Sequence, residues 1–296
     1  MRNQQLSLQA RGLSIFVELV RTCSMAWVNW LKLLVTCSLA CVILLNFAMP
    51  VQAGKFMSSL AFESTDDIVE VAAIYESSYA TQKTLVKSLK VSNKPMKKAL
   101  GFKGFALLQS QNGNKVIALS QWQDLDSYEA YMPSASGAKS KNSETASAIP
   151  APTQTLIYEI VSAQTAIAGA KPALRGKEAV VRWTHLTPKN IAINTATNIA
   201  DSEMRSSLLD QVSEIVPSLL ASQPIPQSVI LLKGIDSDDI TIMSNWNCSA
   251  MFEDVGKPEA ITLDEDLIAL ADSDDTIYDV ITLIPAPVKK QKAIAN

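Results

Sequence analysis

Apolar residues divide most of the chain into two segments with the same order of elements. Each segment opens with an apolar run, Ile68 to Tyr75 in the first and Ala179 to Leu186 in the second. Their length and their β-branched residues are typical of buried strands. A helical stripe of apolar residues follows each run, over roughly 81–98 and 202–221, and Pro217 is expected to kink or shorten the second helix.

Two stretches further along align without a gap, at an offset of 124 positions. Residues 104–131 read GFALLQSQNGNKVIALSQWQDLDSYEAY, and residues 228–255 read SVILLKGIDSDDITIMSNWNCSAMFEDV. Trp122 matches Trp246, and the Asn112-Gly113 pair between two β-rich runs is typical of a tight hairpin. Each stretch is predicted as strand, turn, strand and short helix, and one more strand follows in both segments.

The order β-α-β-β-α-β, found twice, is the ferredoxin-like plan. A single sheet of this kind leaves an apolar face and two edges uncovered, so packing two of them together buries both faces. We therefore predict an α+β fold in which two tandem ferredoxin-like (βαββαβ) repeats, over residues 60–165 and 175–285, form an intramolecular pseudo-dimeric α/β barrel. Residues 133–152, rich in Ser, Ala and Pro, and the tail 286–296 are predicted to be disordered.

The most continuous apolar run lies near the N-terminus. No charged residue occurs from Leu33 to Phe47, positive residues precede the run, and small residues stand at the −3 and −1 positions of a cut after Ala53. This pattern predicts a signal peptide over residues 1–53, with Met25 as a possible true start. Uncleaved, residues 33–51 would serve as a membrane anchor. Export to the periplasm or the medium is expected, with membrane contact through this segment alone.

Charge and composition narrow the possible functions. The whole chain has a net charge of −3, and residues 1–53 contribute +3, which leaves −6 for the remainder. An acidic body is a poor nucleic-acid binder, so no nucleic-acid partner is predicted. The sequence contains no phosphate-binding glycine loop, zinc cluster or serine elbow. The acidic stretch 264–275 lacks the spacing of a calcium loop and is interpreted as a solvated loop.

Residues 101–132 resemble the antibiotic biosynthesis monooxygenase family. Its members have a Gly-Phe pair before the second strand, a hairpin, a strand ending in Trp and a helix with an aromatic residue near its end. Here the matching residues are Gly101-Phe102, Trp122 and the pair Tyr128 and Tyr131. The second stretch keeps Trp246 but lacks the Gly-Phe pair.

The resemblance implies a dimeric α/β barrel, here with both halves in one chain and therefore monomeric. Family members oxidise polycyclic aromatics without metal or flavin, or degrade haem. The haem-degrading branch needs a late-helix Trp and a haem-ligating His beyond it. Those Trp positions fall on Tyr131 and Val255, and no His lies some ten residues beyond either of them. The resemblance thus implies a cofactor-independent monooxygenase for a small apolar or aromatic ligand, and argues against haem degradation.

Six residues are candidates for the site. His185, the chain's only histidine, shares a strand face with Trp183 and is the candidate general base, or else a structural histidine. Glu70 interrupts an apolar strand, as either a pocket acid or an edge-strand charge. Arg182, on the opposite face, is interpreted as solvated. The candidate pocket-lining residues, with core packing as the alternative for the aromatic ones, are Trp183, Trp122, Trp246, Tyr131 and Glu70.

Two functions therefore remain open at the level of the sequence. The first is the cofactor-independent monooxygenase, which needs a cavity of ligand size beside His185. The second is a non-catalytic ligand-binding or interaction module of the same fold. A barrel whose interior is filled with side chains favours the second.

Overall fold

The computed structural model describes residues 58–64, 67–137, 150–189, 198–252 and 255–286. The predicted signal or anchor segment, residues 1–53, lies outside these ranges. So do residues 138–149 of the predicted disordered loop and 287–296 of the predicted tail. Within the described ranges, no helix combines the length and the apolar character that a membrane crossing requires.

Strands and helices alternate along the described part of the chain. The strands are β1 (Ser59–Ala61), β2 (Val69–Glu76), β3 (Phe102–Ser110), β4 (Lys115–Trp122), β5 (Gln154–Thr165), β6 (Ala173–Arg175), β7 (Val180–Pro188), β8 (Ser228–Gly234), β9 (Ile240–Trp246) and β10 (Ala271–Pro285). The helices are α1 (Tyr79–Ser92), α2 (Leu125–Gly137), α3 (Asn198–Ala221) and α4 (Glu265–Leu270), with short 3-10 helices at Lys94–Lys98 and Ser249–Phe252.

All strands except β1 and β6 close into a barrel, in the order β10-β3-β4-β2-β5-β8-β9-β7. Every ladder between neighbours is antiparallel. The last strand of each half pairs with the other half, β5 with β8 and β10 with β3. The predicted α+β barrel is therefore present, and closure removes the free edges that each half would have alone.

The N-terminal half of the barrel consists of β2 to β5, and the C-terminal half consists of β7 to β10. The two ladders that join these halves share one irregularity. β5 carries an unpaired residue, Val161, where it runs along β8, and β10 carries one, Ile281, where it runs along β3. These positions are 120 residues apart, as are Tyr158 and Tyr278, which occupy matching places in the two strands. Because an extra residue increases the local twist, the same device bends both strands where the barrel closes.

The barrel interior is packed with apolar side chains from alternate strand positions. The largest contributors are Leu108, Ile117, Leu119, Leu156, Tyr158, Trp183, Ile230, Leu232, Met243 and Tyr278. The ribbon of β1 and β6 joins this cluster at one end of the barrel through Leu60, Phe62 and Leu174. On the outer face, α1 and α2 cover the N-terminal half, and α3 and α4 cover the C-terminal half.

The ends of the helices differ from the predictions where a proline disfavours helix and packing against the sheet favours it. α1 ends at Ser92, because Pro95 falls in a separate 3-10 helix. α3 instead runs through Pro217, since Val212 and Val216 are buried against the sheet and outweigh a proline cost of about 3 kcal/mol. α2 reaches Gly137, so the segment predicted as a loop from Pro133 begins as helix.

Residues 264–275 form a helix and the start of a strand, so the predicted loop is wrong, although the acidic residues of this stretch are exposed as predicted. Asp264 caps α4, with its Oδ1 accepting a hydrogen bond of 2.8 Å from the backbone N–H of Leu267. Leu267 is buried in the core beneath α3, which holds this turn of helix in place. The rest of the segment is the start of β10, which pairs with β7, and its Asp274 and Asp275 form ion pairs with Lys115 and Arg182.

The interpretation of Arg182 as solvated is also wrong. Its side chain lies on the outer face of β7 but is buried, because the chain segment around Pro258 crosses it. The guanidinium donates a hydrogen bond to the Pro258 carbonyl, and its Nε lies 3.5 Å from Asp275 Oδ1. Asp275 also accepts a hydrogen bond of 2.8 Å from Thr184, so a small polar cluster holds this loop against the sheet.

Candidate functional site

A cleft opens at the end of the barrel away from the β1–β6 ribbon. Its lining residues, drawn from both halves of the chain, are Ile74, Glu76, Lys115, Ile117, Thr153, Gln154, Trp183, His185, Asp274 and Tyr278. The cleft volume is about 70 Å³. That space suits roughly five water molecules, is about half of the roughly 150 Å³ that encloses a benzene ring, and is well below the size of a typical drug-sized pocket.

His185 sits at the centre of a hydrogen-bond network beside this cleft. Its Nδ1 lies 3.1 Å from Thr241 Oγ1 and 3.4 Å from the Tyr158 hydroxyl. The Thr241 hydroxyl donates its one proton to the Tyr158 oxygen, at 3.0 Å. Thr241 must therefore accept from His185, so the network assigns the proton to Nδ1 and the lone pair to Nε2.

Burial favours the neutral form of the His185 imidazole at pH 7. Burial lowers its pKa below the usual value, while Asp239 and Asp274 act in the opposite direction and Lys115 adds to the lowering. Asp239 Oδ1 lies 3.9 Å from Nε2, beyond hydrogen-bond distance. A neutral imidazole in this setting can take a proton at Nε2, and Asp239 would then stabilise the imidazolium.

Strand geometry explains how these residues meet. His185 and Trp183 alternate with outward residues on β7, as the sequence predicted, and both point into the barrel. Thr241 lies directly opposite His185 on β9. Tyr158 arrives from β5 in the other half and packs edge-on against Trp183, with ring centroids 6.1 Å apart.

A second interior tyrosine, Tyr278, lies beside two carboxylates at the rim of the cleft. Its pKa is raised, chiefly by burial and further by Asp274 and Glu76. Asp274 forms an ion pair with Lys115 and accepts a hydrogen bond of 3.3 Å from Thr276. The rim is therefore acidic, with one lysine bound to one of its carboxylates.

The structure places Trp122, Trp246 and Tyr131 away from the cleft. Trp122 lies on the outer face of β4, under α2, and its ring centroid is 5.1 Å from that of Tyr131. Trp246 packs at 5.6 Å against Phe252 and donates a hydrogen bond to the Pro224 carbonyl. These three aromatic residues fill the layer between sheet and helices, and none of them lines the cleft.

Glu70 lies inside the barrel near the closed end, also away from the cleft. Its strand, β2, runs between β4 and β5, so the interpretation as an edge-strand charge is wrong. Gln121 Nε2 donates to Glu70 Oε1 at 2.6 Å and to the Ala61 carbonyl at 2.9 Å. Glu70 Oε2 has no hydrogen-bond partner among the described residues. Complete burial raises the pKa of Glu70 to about 8, so the acid is protonated at neutral pH.

Sequence reasoning missed Tyr158, Thr241, Asp239 and the Lys115–Asp274 pair. Of these residues, only Tyr158 was marked by a sequence pattern, because it aligns with Tyr278 in the final strands of the two segments. A second, more open recess of about 280 Å³ runs along α1 and is lined mainly by small polar residues. In the part of the chain that the structure describes, no three His, Cys, Asp or Glu side chains are placed to hold a metal ion.

Comparison with known proteins identifies relatives of the fold. No protein-family model matches the chain, and no curated protein matches its sequence. An anthrone oxidase-like protein superposes with a TM-score of 0.54 and 14% identity, over 77% of this chain and 96% of its own. Candidate monooxygenases from Fusobacterium nucleatum and Lactobacillus acidophilus give TM-scores of 0.46 and 0.40 at 10% identity. They cover 78% and 75% of this chain, and 95% and 97% of their own. At 14% identity, the likeness to the anthrone oxidase-like protein shows a shared fold.

Proposed function

We propose that the chain is a cofactor-independent, monooxygenase-like protein that acts on a single-ring, electron-rich phenol bound beside His185. One observation carries the proposal. The sequence's only histidine, His185, lines a cleft of mixed polar and apolar residues and has a free lone pair at Nε2 by the network assignment. The fold shared with the anthrone oxidase-like protein supports the same class of reaction.

The proposed reaction begins with proton transfer from the phenol to His185 Nε2. The phenolate ring then attacks O₂, which forms a carbon–oxygen bond and a ring hydroperoxide. Cleavage of the O–O bond leaves one oxygen on the ring as a quinone carbonyl and releases the other as water. The phenol proton and the displaced ring hydrogen complete that water, and the substrate supplies all the electrons that reduce O₂.

The dimensions of the cleft set the size of the substrate. Trp183, Ile74 and Ile117 form apolar walls that suit one flat ring, and the interior beyond them is filled with side chains. A volume of about 70 Å³ is too small for the polycyclic substrates that the family resemblance implied, and even one ring would remain partly outside the cleft, at its open rim. We therefore infer a monocyclic phenol.

The test is oxygen uptake with 4-methylphenol and 4-methoxyphenol, comparing the unmodified protein with His185→Gln. We expect kcat/KM to fall at least about a hundredfold in the variant, because a general base is lost. In the unmodified protein the rate should rise with pH through a pKa below about 6.5, the ordinary imidazole value. Turnover that survives His185→Gln, in a variant with an unchanged circular dichroism spectrum, would remove His185 from the reaction.

A second candidate, the non-catalytic ligand-binding module, is favoured by the filled barrel interior. The cleft is small, and packed side chains fill the interior of the barrel. Under this alternative the phenols bind but consume no oxygen. Calorimetric binding combined with the absence of oxygen uptake would therefore select the module over the enzyme.

We infer further that residues 60–165 and 175–285 are tandem repeats that form a fused pseudo-dimer. The matching bulges at Val161 and Ile281, and the equal register of the hairpins around Trp122 and Trp246, support this. Because each half already covers the other's edges, a monomer is expected in sedimentation velocity. A dimer at micromolar concentration would contradict the inference.

A further inference from the structure

We propose that the cleft selects phenols with a positively charged para substituent and rejects carboxylated ones, through Glu76 and Asp274 at its rim. The inference rests on the proposed function, since it concerns ligands of the same site. It goes beyond that function by assigning a charge to the substrate and a specificity role to two residues.

The two carboxylates act at the same point of the rim. Lys115, the ion-pair partner of Asp274, stands directly opposite Glu76 in the β2–β4 ladder, so both carboxylates lie at one part of the rim. Glu76 and Asp274 themselves line the cleft together with Tyr278. A substituent that leaves the cleft past Tyr278 therefore meets both carboxylates.

The balance of charge around the cleft is negative. Three carboxylates, those of Glu76, Asp274 and Asp239, lie in or beside the cleft, together with a single lysine, Lys115. The lysine forms an ion pair with Asp274. Glu76 has no ion-pair partner among the described residues, and Asp239 faces an imidazole that is neutral at pH 7. Apolar walls of low dielectric constant strengthen the resulting field inside the cleft.

The position of the base sets the orientation of the ligand. Its hydroxyl must face His185 Nε2 for proton transfer, and Asp274 lies directly opposite His185 on β10, so a charged substituent on the ring lies in the field of that carboxylate and of Glu76 in the same cleft. An ammonium group there is attracted by Glu76 and Asp274, and a carboxylate is repelled. For a unit charge several ångströms away in a partly solvated site, the expected effect is about tenfold in affinity.

Three probes of similar size separate charge from shape: tyramine, 4-ethylphenol and 4-hydroxyphenylacetate. Their dissociation constants are measured by calorimetry on the full chain without oxygen, so that turnover does not contribute. We expect tyramine to bind about tenfold more tightly than 4-ethylphenol, and 4-hydroxyphenylacetate to bind at least about tenfold more weakly. Raising the salt concentration to 0.5 M should shrink both differences.

Two variants identify the residues responsible. Glu76→Gln should reduce the ratio of tyramine affinity to 4-ethylphenol affinity several-fold. Asp274→Asn should have the larger effect, because it removes one carboxylate and also releases Lys115. Glu159→Gln is the matched control, since it removes a half-exposed carboxylate that pairs with Lys233 and does not line the cleft.

The outcomes distinguish a failure of the charge selection from a failure of the phenol site itself. The order tyramine, 4-ethylphenol, 4-hydroxyphenylacetate, weakened by Glu76→Gln but not by Glu159→Gln, supports the charge selection. Equal affinities, or tightest binding of the carboxylate, overturn the charge selection but leave the phenol site standing. Failure of all three probes to bind overturns both the charge selection and the proposed function.

Discussion

Raising the pH from about 5 to about 9 is expected to remove several kcal/mol of folding stability that depends on one buried acid, Glu70. Its side chain is fully buried inside the barrel, and burial raises its pKa to about 8, from about 4.5 in an unfolded chain. Within the described ranges, its carboxyl group accepts one hydrogen bond, from the amide of Gln121, which does not offset the loss of hydration.

The sign follows from the protons that each state binds. Between pH 4.5 and about 8 the folded protein keeps the Glu70 proton and the unfolded chain loses it, so stability falls as the pH rises. The full contribution is present below about pH 4.5 and is lost by the time the pH has passed through 8. At about 1.4 kcal/mol for each pH unit, the total loss is roughly 5 kcal/mol.

Urea unfolding of the unmodified protein and of Glu70→Gln at pH 5, 7 and 9 measures this term. Gln is close in shape to the protonated acid but cannot ionise, so the variant should gain stability over the unmodified protein as the pH rises. The informative quantity is the difference between the two proteins, because other groups such as His185 titrate in the same range. Glu159→Gln, on the solvated face, should show no such trend, and parallel curves for Glu70→Gln would contradict the prediction.

Trp122→Ala is expected to destabilise the protein by about 3–5 kcal/mol while leaving the cleft intact. Trp122 is completely buried between β4 and α2, where its ring meets Phe102, Tyr128 and Tyr131. Its indole N–H donates to Ser120 Oγ at 2.9 Å, a bond that is lost as well. The substitution therefore leaves a large cavity in the outer layer of the N-terminal half.

A matched substitution separates packing from ligand contact. Trp122→Phe should keep the affinity for 4-ethylphenol unchanged at a smaller cost in stability, whereas Trp183→Phe should change that affinity, because Trp183 lines the cleft. Urea unfolding gives the stabilities, and calorimetry gives the affinities. A loss of ligand affinity in Trp122→Phe equal to that in Trp183→Phe would show that Trp122 contributes to the site after all.

The sequence predicted the individual strands well, because strand and turn patterns are local. The apolar run from Ile68 to Tyr75 corresponds to β2, shifted by one residue, and the run from Ala179 to Leu186 corresponds to most of β7. The turn at Asn112-Gly113 joins β3 and β4, and Gly113 has the positive φ that such a turn requires. Helix ends were predicted less well, because α3 depends on tertiary packing to run through Pro217.

The roles of the aromatic residues could not be ranked from the sequence. Both faces of the barrel sheet are buried, one by the interior and one by the helices, so both faces of each strand are apolar. Alternation places Trp183 and His185 on one face of β7, but it does not say which face looks inward. The same uncertainty made Trp122 and Trp246 candidates for the pocket, although both pack on the outer side.

By itself, the sequence determined the order of elements, the two-part organisation and the pairing of His185 with Trp183 on one strand face, because each depends on residues close together in the chain. Tertiary structure alone decided the site. Tyr158, Thr241, Asp239 and Asp274 come from distant segments and meet His185 only because the barrel closes. Closure also buries Glu70 between two strands, and that burial, which no local pattern encodes, raises its pKa.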